Sequence, residues 1–114
     1  MPLRPLCRRD DIADPGARGF VFGEGLARED VFLVRRGGLV RGYRNACPHQ
    51  GAPLETFPDQ FLTADGATII CSLHGARFRV EDGACIAGPC LGKSLVPILL
   101  IEMEGVFHWE VRDV

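Results

Sequence analysis

Glycine and proline interrupt this chain so often that it has little room for helices. Its 114 residues include 14 glycines and 8 prolines. Such punctuation leaves short segments of about four to eight residues, the usual length of β-strands. No window shows a sustained helical period with caps, and only residues 55–61 offer a turn of helix. We therefore expect an all-β protein.

Two segment pairs have the form of β-hairpins. Residues 30–36 and 39–44 flank the dipeptide Gly37-Gly38, which suits a two-residue turn. Residues 98–102 and 106–111 flank Glu104-Gly105 in the same way. Shorter strands are expected over residues 67–70 and 77–80, each next to an Asp-Gly pair.

The last predicted strand shows which of its faces is buried. Phe107, Trp109 and Val111 alternate with Val106, His108 and Glu110, a period of two. We therefore expect the two aromatic side chains to face the core, with His108 on the opposite, solvent-facing side.

Length and charge narrow the classes of function. The chain is long enough for one domain, expected over residues 1–114, and carries a net charge of -2. That charge gives no attraction to phosphate backbones or anionic lipid, so we expect neither nucleic acid nor membrane as a partner. The longest apolar stretch, 95–101, is too short to cross a bilayer, and the start of the chain lacks the apolar run of a signal peptide. The 5 cysteines are odd in number, so they cannot all pair within one chain. We therefore expect a cytoplasmic protein without a disulfide framework.

Two short motifs carry the chemistry. Cys47-Pro48-His49 is followed, after 21 residues, by Cys71-Ser72-Leu73-His74. Each motif places a thiolate and an imidazole in one loop, just after a predicted strand, and glycine follows each histidine within two positions. Loops at strand ends can converge on a shared centre, and glycine lets backbone N–H groups approach it closely. The four side chains are therefore candidate metal ligands.

The motifs resemble those of the Rieske iron–sulfur family. The resemblance extends over about the last three quarters of the chain and is carried by the two motifs together with Gly51-Ala52-Pro53-Leu54, Gly75-Ala76, Arg77-Phe78, Asp82-Gly83 and Gly88-Pro89. It implies an antiparallel β-sandwich with two cluster-binding loops. It also implies a [2Fe-2S] cluster in which Cys47 and Cys71 bind one iron and His49 and His74 bind the other.

Departures from the family's respiratory-chain pattern predict a low reduction potential. That pattern joins the two loops by a disulfide, whereas the corresponding positions here hold Ala52 and Leu73. High-potential members also place a serine and a tyrosine where this chain has Ala76 and Phe78, which cannot donate hydrogen bonds to the cluster. The resemblance therefore implies a potential at the ferredoxin- and oxygenase-like end.

The residues themselves leave other interpretations open. Two cysteines and two histidines also suit a structural zinc site, although zinc fingers usually group each residue type together. Cys7, Cys85 and Cys90 are expected to be ordinary buried residues. The arginine pairs Arg8-Arg9 and Arg35-Arg36 are expected at solvated strand or loop edges.

The function that the resemblance implies is one-electron transfer. The protein would carry an electron from a flavoprotein reductase to a terminal oxygenase or similar enzyme, as a non-catalytic component. Docking is expected around His49 and His74, on a mostly uncharged rim formed by Gln50, Pro53, Leu54, Gly75 and Pro89. An oxygenase also needs a mononuclear iron held by two histidines and one carboxylate. The sequence has 3 histidines, two of which are assigned to the cluster, so we do not expect a complete second iron site in it. A small subunit of a nitrite-reductase-type system and a cluster-based redox sensor are the alternatives.

Overall fold

Strands form nearly all of the regular structure of this protein. The computed structural model describes residues 3–48 and 51–111, in which the helical elements are two 3₁₀ turns, Arg9–Asp11 and Gly25–Ala27. The strands are β1 (Leu3–Arg8), β2 (Gly16–Phe22), β3 (Glu29–Arg36), β4 (Leu39–Arg44), β5 (Thr68–Ile70), β6 (Arg77–Arg79), β7 (Cys85–Ala87), β8 (Leu99–Met103) and β9 (Val106–Glu110). The expected all-β fold is confirmed.

The strands form three antiparallel sheets of three strands each. Their orders are β1-β9-β8, β2-β3-β4 and β5-β6-β7. The two predicted hairpins are confirmed as β3-β4 and β8-β9, with Val34 opposite Arg41 in the first and Ile101 opposite His108 in the second. Phe107 and Trp109 are buried, as their alternation predicts, while Val111 is half-buried.

Strand β3 lies at the centre of the fold because both of its faces are buried. Leu33 of β3 lies in a core that also contains Phe107 of β9. This core packs the β1-β9-β8 sheet against the β2-β3-β4 sheet. Phe32 and Val34 point to the other side, into a larger core shared with β5 and β6. A continuous apolar run, rather than alternation, is the pattern expected of a strand covered on both faces. The result is a sandwich with the small β5-β6-β7 sheet packed on its outer side.

The larger core also contains the cysteines of both motifs. Cys47 and Cys71 are 1% and 0% exposed and pack among the aromatic and aliphatic side chains of this core. The Tyr43 hydroxyl donates a hydrogen bond of 2.7 Å to the Val80 carbonyl within it, which ties β4 to the segment after β6. The two motifs are thus held against one rigid apolar body.

The suggested turn of helix over residues 55–61 is wrong. The segment contains no helix because Pro58 removes a donor and Asp59 adopts a positive φ of 64°. The Asp59 carboxylate instead accepts a hydrogen bond of 2.8 Å from the Gly19 amide, which fastens this loop to β2.

Three strands, β1, β2 and β7, have no counterpart among the sequence predictions. The interpretation of Arg35 as a solvated edge residue is also wrong, since its guanidinium is half-buried and donates to the carbonyls of Arg9 and Ile12 at 3.1 Å each.

A helix with the length and apolar character to span a bilayer does not occur in the described part of the chain.

Candidate metal centre

The two motifs meet in the fold. Cys71 follows β5 directly, and Cys47 lies three residues after the end of β4. The ligating atoms of Cys47, Cys71 and His74 all lie within 4.8 Å of one another. Residues separated by more than twenty positions in sequence therefore present two sulfurs and one ring nitrogen to a single point. His49, the fourth predicted ligand, lies outside the described residues.

The loops that carry the motifs are closed by the same pair of backbone hydrogen bonds. In each loop the cysteine amide donates to the carbonyl of the alanine five residues later. The glycine four residues after the cysteine donates back to the cysteine carbonyl. The distances are 2.8 Å from Cys47 to Ala52 and 2.6 Å from Gly51 to Cys47, and 2.8 Å both from Cys71 to Ala76 and from Gly75 to Cys71. Both motifs therefore share the sequence pattern Cys-x-x-x-Gly-Ala and the same closing pair of backbone hydrogen bonds.

Glycine is required where each of these loops reverses direction. Gly51 and Gly75 have φ values of 74° and 71°, in the left-handed region that L side chains avoid. The sequence reasoning identified these glycines but attributed them to close approach of the backbone. The repeated Gly-Ala pair is the signal that would have shown the shared turn.

A chain of polar contacts joins one loop to the other. The Leu54 amide donates to Asn45 Oδ1 at 2.8 Å, and the Ser72 amide donates to the Leu54 carbonyl at 2.8 Å. The side chain of Asn45 is also held by Glu55, whose Oε1 accepts from Asn45 Nδ2 at 2.8 Å. Because Asn45 and Leu54 are both buried, the bond between them is shielded from water. Sequence reasoning did not single out Asn45, which fixes the spacing between the loops.

Burial and backbone dipoles act in opposite directions on the pKa of the Cys71 thiol. Burial raises the pKa of the Cys71 thiol most, and a hydrogen bond with the Cys47 thiol raises it further. The backbone N–H groups of His74 and Leu73 act to lower the same pKa because they point at the sulfur. Two adjacent buried sulfurs cannot both carry negative charge without a cation beside them. A metal centre would supply that cation.

The donor set fits an iron–sulfur cluster with mixed ligands. The two thiols lie deep in the core, whereas the imidazole of His74 is exposed. Such a division suits one thiolate-bound iron facing inward and one imidazole-bound iron facing solvent. The Cys71 sulfur is also approached by the backbone amides of Leu73 and His74, and such hydrogen bonds tune a cluster.

One cysteine outside the motifs contacts this centre. Cys90 is fully buried, and its Sγ lies 3.8 Å from Cys47 Sγ. The expectation that Cys7, Cys85 and Cys90 are buried is confirmed, and none of the five cysteines is in a disulfide. Sequence reasoning placed Cys90 beside the Gly88-Pro89 loop but did not find its contact with Cys47.

The expected rim around the centre is partly wrong. Leu54 is fully buried because its side chain packs in the larger core, so it cannot contact a partner. Pro53, Gly75 and Pro89 are exposed as predicted, and Gln50 lies outside the described residues. The large apolar side chains exposed beside the motifs are instead Leu73, at 64%, and Leu91, at 65%.

His108 stands apart from the centre. It is half-buried rather than fully solvent-facing, and its Nδ1 lies 3.0 Å from the Val106 carbonyl. It is not part of the donor group formed by Cys47, Cys71 and His74.

Comparison with known protein families decides what kind of centre this is. Residues 4–104 match the family model described as the Rieske [2Fe-2S] domain. The chain belongs to this family. The Rieske match confirms the expected cofactor, a [2Fe-2S] cluster, and sets the zinc alternative aside.

Solved structures share the Rieske fold with this chain. The ferredoxin of carbazole 1,9a-dioxygenase from Nocardioides aromaticivorans IC177 has a TM-score of 0.67 and 24% identity, with coverage of 96% of this chain and 99% of that one. The Sphingomonas yanoikuyae B1 ferredoxin has a TM-score of 0.71 and 22% identity, with coverage of 97% and 100%. The terminal oxygenase of the Nocardioides enzyme has a TM-score of 0.76 and 21% identity, with 98% of this chain matching 30% of the oxygenase. None of the curated proteins matches the sequence significantly.

Proposed function

We propose that this protein is a one-electron carrier of the Rieske type, which takes an electron from a flavoprotein reductase and delivers it to a terminal oxygenase. The observation that carries the proposal is the convergence of Cys47, Cys71 and His74 on one point, with the imidazole at the surface. A bound [2Fe-2S] cluster supplies reversible one-electron chemistry.

The four motif residues have distinct roles in this proposal. Cys47 and Cys71 hold one iron and exclude water from it, since both lie in the apolar core. His49 and His74 hold the other iron. The exposed ring of His74 provides the short path between the centre and a docked partner.

Similarity to free-standing carriers supports the proposal of a carrier. The match spans 99% and 100% of two ferredoxins. One of the similar structures is a complex of a reduced oxygenase with an oxidised ferredoxin in carbazole 1,9a-dioxygenase, with a TM-score of 0.73 and 21% identity. A partner of the oxygenase class is therefore proposed for this chain as well. A cytoplasmic location accompanies the proposal, because all five cysteines are unpaired.

Spectroscopy of the purified protein tests the proposal. Anaerobically purified protein should be reddish brown, contain equal iron and acid-labile sulfide, and give a paramagnetic signal after reduction by one electron. A colourless protein that contains zinc and no sulfide would overturn it.

A pair of variants tests the ligand assignment. His74→Ala should lose the cluster, whereas His108→Ala should keep it, because His108 lies outside the donor group. An intact native cluster in His74→Ala would refute the role of His74.

A further inference from the structure

Among the described residues, Cys90 is the cysteine outside the two motifs whose sulfur contacts a proposed ligand. Its Sγ lies 3.8 Å from Cys47 Sγ, within reach of a hydrogen bond between sulfurs. Cys90 and Cys47 are 0% and 1% exposed, so water does not compete for this contact.

The backbone around Cys90 holds it rigidly. Gly88 has a φ of 94°, and a Cβ on it would lie 2.8 Å from Ala76 Cα, so the loop packs directly on the second motif. The Lys93 amide donates to the Cys90 carbonyl at 2.8 Å, and the Lys93 carbonyl accepts from the Cys85 amide at 2.9 Å. The position of the thiol is therefore set by β7 and its following turn.

The roles of the two sulfurs follow from chemistry. Among the described residues, the converging donors are Cys47, Cys71 and His74, and Cys90 is outside this group. A metal-bound thiolate carries no proton. When Cys47 binds iron, the proton between the two sulfurs can come only from Cys90.

We propose that the Cys90 thiol donates a hydrogen bond to the Cys47 sulfur and thereby raises the reduction potential of the cluster. The proposal rests on the ligand assignment made under the proposed function. The reduced cluster carries one more negative charge than the oxidised one, so it gains more from a donor at a ligand sulfur. The electron comes from the reductase, and the proton stays on Cys90 throughout.

The Cys90 thiol matters more to the cluster because two side chains near it, Ala76 and Phe78, cannot donate hydrogen bonds. Ala76 and Phe78 are both fully buried in the same core and have no side-chain N–H or O–H group. Cys90 then provides a side-chain donor to the centre from the loop that follows β7. Its substitution should therefore act on the potential rather than on ligation.

The experiment is a redox titration of holoprotein followed by paramagnetic resonance. Cys90→Ala should shift the potential in the negative direction, with the reduction equilibrium changed up to about tenfold, which is about 59 mV for one electron. Cys90→Ser keeps a donor and should stay near the parent protein. Should the alanine variant lose its cluster, Cys90→Val fills the space without a donor and should show the same negative shift.

Cys85→Ala is the matched control. Cys85 is also a buried thiol of this region, but its Sγ donates to the Ala87 carbonyl at 3.2 Å rather than to a ligand. Its removal should leave the potential unchanged. Equal shifts in the serine and the donor-free variants would show that Cys90 only fills space, and an unchanged potential in the donor-free variants would also overturn the proposal. Parent protein without iron and sulfide would instead overturn the ligand assignment, and this proposal with it.

Discussion

Gly51 and Gly75 occupy equivalent places in the two motif loops. Each lies four residues after a motif cysteine, donates its amide to that cysteine's carbonyl, and has a φ in the left-handed region, at 74° and 71°. Since the turn at each glycine brings the following alanine back to the motif cysteine, the two glycines together shape both halves of the centre.

The first prediction concerns Gly75→Ala. A Cβ at Gly75 meets nothing within 4 Å, so the substitution acts through backbone strain alone. We expect a loss of about 1–2 kcal/mol in the free energy of unfolding and a lower yield of bound iron. Urea denaturation and iron analysis check this.

Gly38→Ala is the control for that substitution. Its Cβ also meets nothing within 4 Å, and its φ is not in the left-handed region. It should therefore change stability by far less. Equal losses in the two variants would contradict the role assigned to the turn.

The second prediction concerns Asn45→Ala. The variant leaves the buried Leu54 amide without its 2.8 Å partner, and we expect a loss of about 1–3 kcal/mol. Urea denaturation at neutral pH measures it. Glu55→Gln keeps an amide oxygen that can accept from Asn45 and should be nearly neutral; a larger effect there than in Asn45→Ala would contradict the prediction.

The third prediction concerns alkaline pH. Burial raises the pKa of Tyr43 from 10.0 to about 12, so the folded protein keeps the phenol neutral. The resulting contribution to stability is fully present below pH 10, and it is lost as pH rises from 10 towards 12, because the unfolded chain then releases its proton first.

Comparison with Tyr43→Phe isolates this effect. At pH 8 the variant should be less stable by about 1 kcal/mol, since the Val80 carbonyl loses its donor. The difference from the parent protein should narrow above pH 10. Denaturant unfolding between pH 8 and 11 measures both, and a difference independent of pH would count against a buried neutral phenol.

The fourth prediction is the reduction potential itself. With Ala76 and Phe78 fully buried and unable to donate, we expect a potential at the low, ferredoxin-like end of the Rieske range. Ala76→Ser should raise it by adding a donor. A redox titration that gives a respiratory-type high potential for the parent protein would contradict this expectation.

The fifth prediction concerns docking. Leu73 adjoins His74 and is 64% exposed, so Leu73→Ser should slow electron delivery to an oxygenase partner without changing the potential. Stopped-flow oxidation of the reduced protein measures the rate. Met103→Ser, at a 43% exposed apolar position on β8, should leave the rate unchanged; identical rates in the two variants would place docking elsewhere.

Local sequence signals predicted the hairpins and the convergence of the two motif loops. Gly37-Gly38 and Glu104-Gly105 mark turns by their own backbone preferences, so β3-β4 and β8-β9 were predictable. The motifs marked Cys47, Cys71 and His74 because thiolate and imidazole pairs are rare at such spacing. His49 remains a predicted ligand.

Features that depend on contacts distant in sequence were not predictable from local patterns. Strand β1 forms only by pairing with β9, about one hundred residues further along. Leu54 follows the first motif in sequence, and only the folded structure places its side chain in the core that it shares with β5 and β6. The contact between Cys47 and Cys90 likewise requires the β5-β6-β7 sheet to be in place.

The hydrogen bonds that close each motif loop join only the backbones of its cysteine, glycine and alanine, so they do not use the side chains between the cysteine and the glycine. We therefore expect exchange of those side chains to leave the closing bonds in place. The same frame could accept thiolates where it now carries imidazoles, and the histidine already sits at the second of these positions in one copy and at the third in the other. Two loops with the same closing hydrogen bonds therefore offer a starting point for the design of other metal sites.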